Sequence, residues 1–228
     1  MQPLDRLVIA VDLSARDEVL RLVDDLRGTV GVFKIGLQAF IANGPSIVRE
    51  IVSSGERVFL DLKIHDIPNT AKHAVAEAVS LGASMATVHA AGGEAMLRAC
   101  ADASSASLLV LGVTVLTSLD AEELARIGLD GTPVENAVRL ARLAKNSGLR
   151  GVVASPLEIA SIREACGAGF VILTPGIRPT GADVGDQRRT MTPRQAVDAG
   201  ADYIVVGRPI TSAADPRSAA LRIVEEMG

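Results

Sequence analysis

Short apolar runs alternate with amphipathic, helix-like segments along the whole chain. Each run is followed by a polar or glycine-containing turn and then by apolar residues at helical spacing. Near-continuous runs rich in Val, Ile and Leu are typical of parallel strands buried on both faces. The pattern predicts strands at 6–12, 30–36, 57–63, 85–90, 108–115, 151–155, 170–176 and 203–208. Eight such βα units predict an α/β protein, a (β/α)8 TIM barrel that forms a single domain over residues 1–228.

A doubly wound open sheet uses the same alternation and is the main structural alternative. Such sheets often carry a G-x-G-x-x-G turn after the first strand, where it binds a dinucleotide. Here residues 11–18 read VDLSARDE and contain no glycine. The missing motif favours the barrel.

Composition narrows the possible partners. The chain is 48% apolar and 22% charged, has a formal net charge of -4, and contains four Phe, one Tyr and no Trp. Nucleic-acid binding usually needs a basic face and aromatic stacking platforms, so nucleic acid is not expected as a partner. Cys100 and Cys166 lie far apart without metal-ligand spacing, and we predict free thiols.

No segment is typical of export or of a membrane span. Residues 1–12 lack a basic segment followed by a long apolar stretch, and no apolar run approaches about 18 residues. We expect a cytoplasmic enzyme or binding protein that does not contact a membrane.

Polar or glycine residues mark the end of every predicted strand. In barrels of this kind the active site is built from the carboxyl ends of the strands and the loops that follow them. Single polar residues at solvated strand ends are common without any function, so the candidates gain weight only as a group. In chain order they are Asp12, Lys34, Asp61, Lys63, His89, Thr117, Ser155, Gly176, Arg178, Gly207 and Arg208.

Lysine and aspartate residues form the most specific group among these candidates. Lys34 lies between two apolar neighbours in its strand, and a buried ammonium group needs a carboxylate partner. Asp61 and Lys63 are two residues apart, so their side chains share one face of the third strand. Asp66 follows three residues later. The sequence therefore predicts an array of two lysines and two carboxylates in alternation.

Flanking carboxylates favour the ammonium form of Lys63 over the neutral amine that Schiff-base chemistry needs, so we predict that Lys63 donates a proton. Two alternatives stay open. The group could be an inert cluster of salt bridges, or His65, His89, Asp61 and Asp66 could bind a metal ion. Against the metal site, the charge of Lys63 between the carboxylates would repel a divalent cation.

A phosphate site is predicted after the last two strands. Residues 174–179 (TPGIRP) and 206–210 (VGRPI) occupy the positions at which phosphate-binding barrels hold their anion. Gly176 and Gly207 can expose backbone N–H groups, and Arg208 can offer a bidentate guanidinium contact.

The segment at about 177–191 lacks clear periodicity and is long for a loop in a compact domain. We predict a flap on the phosphate side that closes over the substrate, with Gln187 and Arg178 as candidate contacts. Which of Arg178, Arg188 and Arg189 faces the ligand stays open.

Residues 59–70 read FLDLKIHDIPNT and match the pattern D-x-K-x-x-D-I-P-x-T at every position. In this stretch the chain resembles the orotidine 5′-phosphate decarboxylases, and it is most similar to their bacterial branch. The other stretches that carry the resemblance are IAVD (9–12), FKIG (33–36), VHAAGG (88–93), TVLTS (114–118), TPGIRP (174–179), GDQRR (185–189) and VGRPI (206–210).

The resemblance implies a homodimeric barrel, free of metal and cofactor, that converts orotidine 5′-phosphate to uridine 5′-phosphate and CO₂ in pyrimidine synthesis. In such an enzyme Lys63 would protonate C6 of the pyrimidine, Asp61 would lie beside the substrate carboxylate, and Lys34 would complete the array. Asp66 and Thr70 would act in the partner subunit's site. The other implied contacts are Asp12 at the ribose, Thr117 and Gln187 near the base and the flap, and Arg178, Gly207 and Arg208 at the phosphate end.

Two further functions stay open at this point. Another phosphosugar enzyme on the same barrel, such as a hexulose-phosphate synthase or an epimerase, would use a metal ion and an acid or a histidine base. A catalytically silent barrel that binds nucleotides would act as a sensor or scaffold. Removal of metal by a chelator tests the first, and Lys63→Ala tests the second.

Overall fold

Eight parallel strands close into a barrel in the computed structural model, which describes residues 2–180 and 190–228. The strands are β1 Leu7–Val11, β2 Val32–Gly36, β3 Val58–Ile64, β4 Met85–His89, β5 Leu109–Val113, β6 Gly151–Val153, β7 Val171–Thr174 and β8 Tyr203–Val206. Each strand pairs with its neighbours in sequence, and β8 pairs with β1. The predicted (β/α)8 barrel is confirmed.

Helices surround the sheet and connect its strands. They are α1 Pro3–Arg6, α2 Arg16–Leu26, α3 Leu37–Asn43, α4 Pro45–Ser53, α5 Pro68–Ser80, α6 Gly93–Ala103, α7 Ala121–Arg126, α8 Pro133–Asn146, α9 Ile159–Cys166, α10 Pro193–Asp198, α11 Arg208–Thr211 and α12 Pro216–Met227. Two 3₁₀ turns, Ala90–Gly92 and Pro156–Glu158, follow β4 and β6. Of the helices in the described ranges, none combines the length and the apolar character that crossing a bilayer would require.

Apolar side chains pack on both faces of the sheet. The outer faces of the strands pack against the helices in one large cluster. The interior of the barrel holds a second cluster, formed by Val8, Ala10, Val32, Phe59, Met85, Leu111, Leu173 and Val205. Burial on both faces explains why the strands read as continuous apolar runs.

The same alternation positions the polar candidates. Side chains two residues apart on a strand point to the same face. Asp12, Lys34 and Asp61 each lie two residues beyond a member of the inner cluster, so they follow it toward the carboxyl ends of the strands. The charged groups thus lie next to the inner apolar cluster, on the side of the carboxyl ends of the strands.

Some boundaries differ from the predictions. The fifth strand, predicted at 108–115, ends at Val113, and the eighth, predicted to reach 208, ends at Val206. The apolar run continues past the end of β5 because Val115 and Leu116 line a cavity and do not belong to the strand. The helical segment after β2 is divided at Gly44, whose φ of 66° interrupts the helix before Pro45 begins the next one.

Both cysteines are free, as predicted, and both are buried. Burial raises the pKa of the Cys100 thiol to about 11. It also raises the pKa of Cys166, although nearby Lys145 and arginines act in the opposite direction. Both thiols therefore stay protonated near neutral pH and are poor nucleophiles.

Candidate active site

A cavity of about 500 Å³ opens at the carboxyl ends of the strands. Its volume suits a small-molecule ligand. Apolar side chains, among them Val113, Val153 and Leu173, form part of its wall. The predicted site residues that line it are Asp12, Lys34, Asp61, Lys63, Thr117, Gly176, Arg178, Gly207 and Arg208. The structure therefore brings three members of the predicted array, Lys34, Asp61 and Lys63, into one cavity with the predicted phosphate end, whereas Asp66 is not part of the lining.

Asp61 lies between two ammonium groups. The Nζ atom of Lys63 is 2.9 Å from both carboxylate oxygens of Asp61. The Nζ atom of Lys34 is 3.6 Å from Oδ2 of Asp61 and 3.3 Å from Oδ1 of Asp12. The side chains of Lys34 and Asp61 are each 12% exposed. Because water is largely excluded from this pair, its charges interact more strongly than a surface salt bridge would.

The electrostatic surroundings keep Asp61 ionised. Burial alone would raise the pKa of its carboxyl group. The charges of Lys34 and Lys63 and the hydrogen bonds from Lys63 and Thr87 outweigh burial, so the pKa is lowered from its usual value. Asp61 is consequently a carboxylate at neutral pH, and it pairs with a Lys63 side chain that donates to it.

The backbone of β3 is irregular where it carries these groups. Leu60 pairs with Ala86 and Ile64 pairs with Val88, so residues 61–63 lie opposite a single residue of β4, Thr87. Lys63 has a φ of 51°, in the left-handed region that non-glycine residues rarely adopt. Such a conformation costs roughly 1–3 kcal/mol and persists where the surrounding structure imposes it.

Thr87 connects the irregular backbone to the charged pair. Its buried hydroxyl accepts a hydrogen bond from the backbone N–H of Lys63 and donates one to Oδ1 of Asp61, each with a distance of 2.9 Å. The sequence reasoning missed Thr87. A polar residue two positions before His89, on the same face of an apolar strand, was the signal that could have indicated it.

Gly36 is a second residue that the sequence reasoning missed. A Cβ atom at this position would lie 3.0 Å from Nζ of Lys34 and 3.3 Å from Oδ1 of Asp12. Glycine therefore leaves space for the ion pair above the end of β2. Because it follows Lys34 by two residues on the same face, strand alternation could have identified it.

The phosphate end contains both predicted glycines and two arginines. Gly176 has a φ of 78°, which glycine adopts without strain. Gly207 directly precedes α11, whose first residue is Arg208. The Nη1 atom of Arg178 donates to the backbone carbonyl of Ile177 at 3.0 Å. Thr211 also lines the cavity and was not predicted.

Residues 181–189 are not among the described residues. The predicted contacts Gln187, Arg188 and Arg189 therefore lie outside the described ranges. On either side, Ile177 forms a parallel bridge with Met191, and the N–H of Arg178 donates to the Met191 carbonyl at 3.0 Å. The flap over about 177–191 stays a prediction.

Several predicted residues lie elsewhere. Asp66 and Thr70 are exposed and are not part of the cavity lining, and Oδ1 of Asp66 accepts a hydrogen bond from the N–H of Ile67 at 2.7 Å. Ser155 is buried but does not contribute to the described lining.

The histidines of the alternative metal site form a pair of their own. The rings of His65 and His89 have centroids 5.4 Å apart. Burial, the neighbouring His65 and the charge of Lys63 lower the pKa of His89, although Asp61 acts in the opposite direction. Across residues 2–180 and 190–228, no group of three or more His, Cys, Asp or Glu side chains is arranged to hold a metal ion.

Comparison with known proteins assigns the family. A family model described as the orotidine 5′-phosphate decarboxylase / HUMPS family matches residues 5–223. The chain belongs to this family. It is 50% identical to the orotidine 5′-phosphate decarboxylase of Moorella thermoacetica, over 100% of this chain and 94% of the relative. It is 51% identical to the protein of the same name from Syntrophotalea carbinolica, over 97% of this chain and 94% of the relative.

A solved structure agrees with the sequence relatives. The crystal structure of orotidine 5′-phosphate decarboxylase from Lactobacillus acidophilus superposes with a TM-score of 0.87 and 34% sequence identity. The match covers 97% of this chain and 98% of the other. Family membership and barrel geometry are thus shared along nearly the full length of the chain.

Proposed function

We propose that this chain decarboxylates orotidine 5′-phosphate to uridine 5′-phosphate and CO₂, a step of pyrimidine synthesis, without a metal ion or a cofactor. The array in which Asp61 lies between Lys34 and Lys63 is the observation that carries the proposal. It supplies a proton donor, a fixed negative charge and a second cation in one cavity. The names of the similar proteins support the same substrate.

The cavity suits the substrate at both ends. A nucleotide has an anionic phosphate and a heterocyclic base, and the cavity has a phosphate end with Gly207 and Arg208 and a charged array with Lys63. Asp12, which follows β1 and lines the cavity, is the proposed acceptor for ribose hydroxyl groups, and Thr117 and Gln187 are proposed contacts near the base and the flap. Arg178 and Gly176 complete the proposed phosphate end.

Lys63 would provide the proton. As the bond between C6 and the carboxylate breaks, CO₂ departs and the bonding electron pair stays on C6 of the pyrimidine. The ammonium of Lys63 stabilises this developing charge and then transfers a proton to C6, and solvent later returns a proton to the amine. Fixed charges aimed at developing charge are usually the largest contribution to catalysis.

Asp61 would contribute less than Lys63. Its carboxylate and the substrate carboxylate would repel each other by roughly 4 kcal/mol at 4 Å and an effective dielectric of about 20, and CO₂ departure relieves this repulsion. The two lysines attract the same carboxylate in the ground state and offset part of the effect. We therefore assign Asp61 mainly to holding the Lys63 side chain in position.

The first prediction is that the protein consumes orotidine 5′-phosphate after complete removal of metal ions. The loss of the ultraviolet absorbance of the orotate ring reports the reaction directly. We expect the same rate before and after dialysis against a chelator, because ammonium groups supply the positive charge that a metal would otherwise provide.

Loss of activity on chelation and its return with Mg²⁺ would contradict the metal-free mechanism and favour a metal-dependent phosphosugar enzyme. That alternative is less compatible with the site because the ammonium of Lys34, 3.6 Å from Asp61, would repel a divalent cation there. A parent protein that binds uridine 5′-phosphate but never turns over orotidine 5′-phosphate would favour a silent nucleotide-binding barrel.

We further propose that the active form is a homodimer in which Asp66 and Thr70 act in the partner subunit's site. Both residues are exposed in the single chain. Two large apolar side chains are exposed: Ile67, next to Asp66, is 65% exposed, and Ile41, on α3, is 78% exposed. Contiguous exposed apolar surface is typical of an interface, and in the proposed dimer a second copy covers these side chains.

The second prediction is that two inactive variants restore activity when they are mixed. In the proposed dimer, each site takes Lys63 from one subunit and Asp66 from the other. In a mixed dimer, one site therefore contains both substitutions and the other site contains neither, so half of the sites are intact. With random exchange of subunits, we expect recovery of about a quarter of the parent activity. Activity is measured after unfolding and refolding the mixture or after long incubation.

A mixture of Lys63→Ala with Asp61→Ala is the matched control. Both of these changes affect the site of their own chain, so a mixed dimer has no intact site and should stay inactive. If exchange of subunits is demonstrated and Lys63→Ala with Asp66→Ala also stays inactive, Asp66 does not act across the interface.

A further inference from the structure

We propose that Thr87 is a positioning residue for the decarboxylation, because its hydroxyl locks the Asp61 carboxylate and the Lys63 backbone into one hydrogen-bonded ring. The inference rests on the proposed function, since it concerns the same reaction. Thr87 lies on β4, is fully buried and touches both members of the charged pair.

The hydrogen bond that the Thr87 hydroxyl accepts determines where it can donate its proton. A threonine hydroxyl has one proton to donate. Because the Lys63 N–H donates to Oγ1, the hydroxyl proton is free to point at Oδ1 of Asp61, which accepts it at 2.9 Å. Oδ1 also accepts from Nζ of Lys63 at 2.9 Å. The ring therefore runs from the Lys63 backbone through Thr87 and Asp61 back to the Lys63 side chain.

The bulge in β3 explains why this connection is needed. With residues 61–63 opposite Thr87 alone, the N–H of Lys63 donates to the Thr87 side chain instead of a backbone carbonyl of β4. The donor of this hydrogen bond is the residue whose φ is 51°. A valine at position 87 would leave this partly buried N–H without its acceptor and would remove one of the hydrogen bonds that fix the Asp61 carboxylate.

The consequence for the reaction concerns the placement of the ammonium group. Lys63 must lie over C6 when the proton is transferred, and small displacements of a catalytic group strongly lower a rate. Substrate binding at the phosphate end involves other strands. Loss of the Thr87 hydroxyl should therefore lower kcat much more than it raises KM.

The experiment compares Thr87→Val, Thr87→Ser and the parent protein in the ultraviolet assay. We expect Thr87→Val to lower kcat about 10- to 100-fold, the loss typical of removing a hydrogen bond to a charged group, with KM changed less than about threefold. Thr87→Ser keeps the hydroxyl and should retain kcat within about threefold of the parent. Thr87→Ala removes the same hydroxyl and replaces Thr87→Val if the valine protein does not fold.

The pH dependence gives a second readout. The hydrogen bond from Thr87 is one of the interactions that lower the pKa of Asp61, so its removal should raise that pKa. Activity that needs the Asp61 carboxylate should then be lost at a higher pH on acidification than in the parent. The other charged and titratable groups near Asp61 are Lys63, Lys34 on β2, Asp12 beyond β1, and His65 and His89, and all are the same in both proteins.

Thr114→Val is the matched control. Thr114 is also buried beside a barrel strand, but its hydroxyl donates to the backbone carbonyl of Val153 at 3.0 Å, and among the described residues it has no hydrogen bond to a charged group. Its kcat should stay within about twofold. The inference fails if the parent is active and both Thr87→Val and Thr87→Ala have the kcat of the parent and lose activity at the same acidic pH. It also fails if Thr87→Ser loses as much activity as Thr87→Val. A parent without turnover instead refutes the proposed function.

Discussion

Lys63→Ala is expected to lower kcat by about 10⁴-fold or more, the largest effect of any single substitution proposed for this chain. The change removes the group that donates the proton to C6 and also the positive charge that stabilises the carbanion. A general acid typically contributes about 10²–10⁴-fold, and a fixed charge aimed at the reacting atom about 10²–10³-fold. The two contributions come from one side chain and are lost together. Turnover is measured by the loss of orotate absorbance at saturating substrate.

Binding of uridine 5′-phosphate separates lost chemistry from lost structure. Lys63→Ala should still bind this product, because the phosphate end of the cavity is unchanged. Lys145→Ala is the matched control: Lys145 lies at the opposite end of the barrel, where its Nζ atom donates to the Cys166 carbonyl at 2.8 Å. It should keep kcat within about twofold. If Lys63→Ala binds product and retains more than about a hundredth of the parent kcat, another group donates the proton.

The sequence predicted the architecture well because each strand is buried on both faces. Burial of this kind yields continuous apolar runs whose order along the chain is also their order around the barrel. Strand ends were less accurate, as at β5, because Val115 continues the apolar run while lining the cavity instead of pairing. The break at Gly44 between α3 and α4 depends on a single backbone conformation that no periodicity reveals.

The charged array could be predicted from the sequence because it depends mainly on local spacing. Asp61 and Lys63 are two residues apart on one strand, and a largely buried Lys34 needs a carboxylate, so their proximity followed from alternation and charge. Thr87 was not accessible in this way. Its role depends on the register between β3 and β4, which shifts at the bulge. The sequence of one strand does not determine its register with a neighbouring strand.

The phosphate end involves a different relation between binding and rate. Arg208 touches no bond that changes during the reaction, yet interactions with remote parts of a substrate can be used to complete the site around the reacting centre. A bidentate contact between a guanidinium group and phosphate is strong and geometrically specific. Removal of the contact should therefore lower kcat as well as weaken binding, and both effects lower kcat/KM.

Arg208→Ala is expected to lower kcat/KM for orotidine 5′-phosphate by about 10³-fold, since two charge-assisted hydrogen bonds of about 2 kcal/mol each correspond to three factors of ten. Orotidine, which lacks the phosphate, should react equally slowly with the parent and with the variant. Arg217→Ala is the control, because Arg217 donates to the backbone carbonyls of Asp25 and Arg27 on the surface and should leave both rates unchanged. If Arg208→Ala slows orotidine as much as orotidine 5′-phosphate, Arg208 supports the structure of the barrel and does not bind the phosphate.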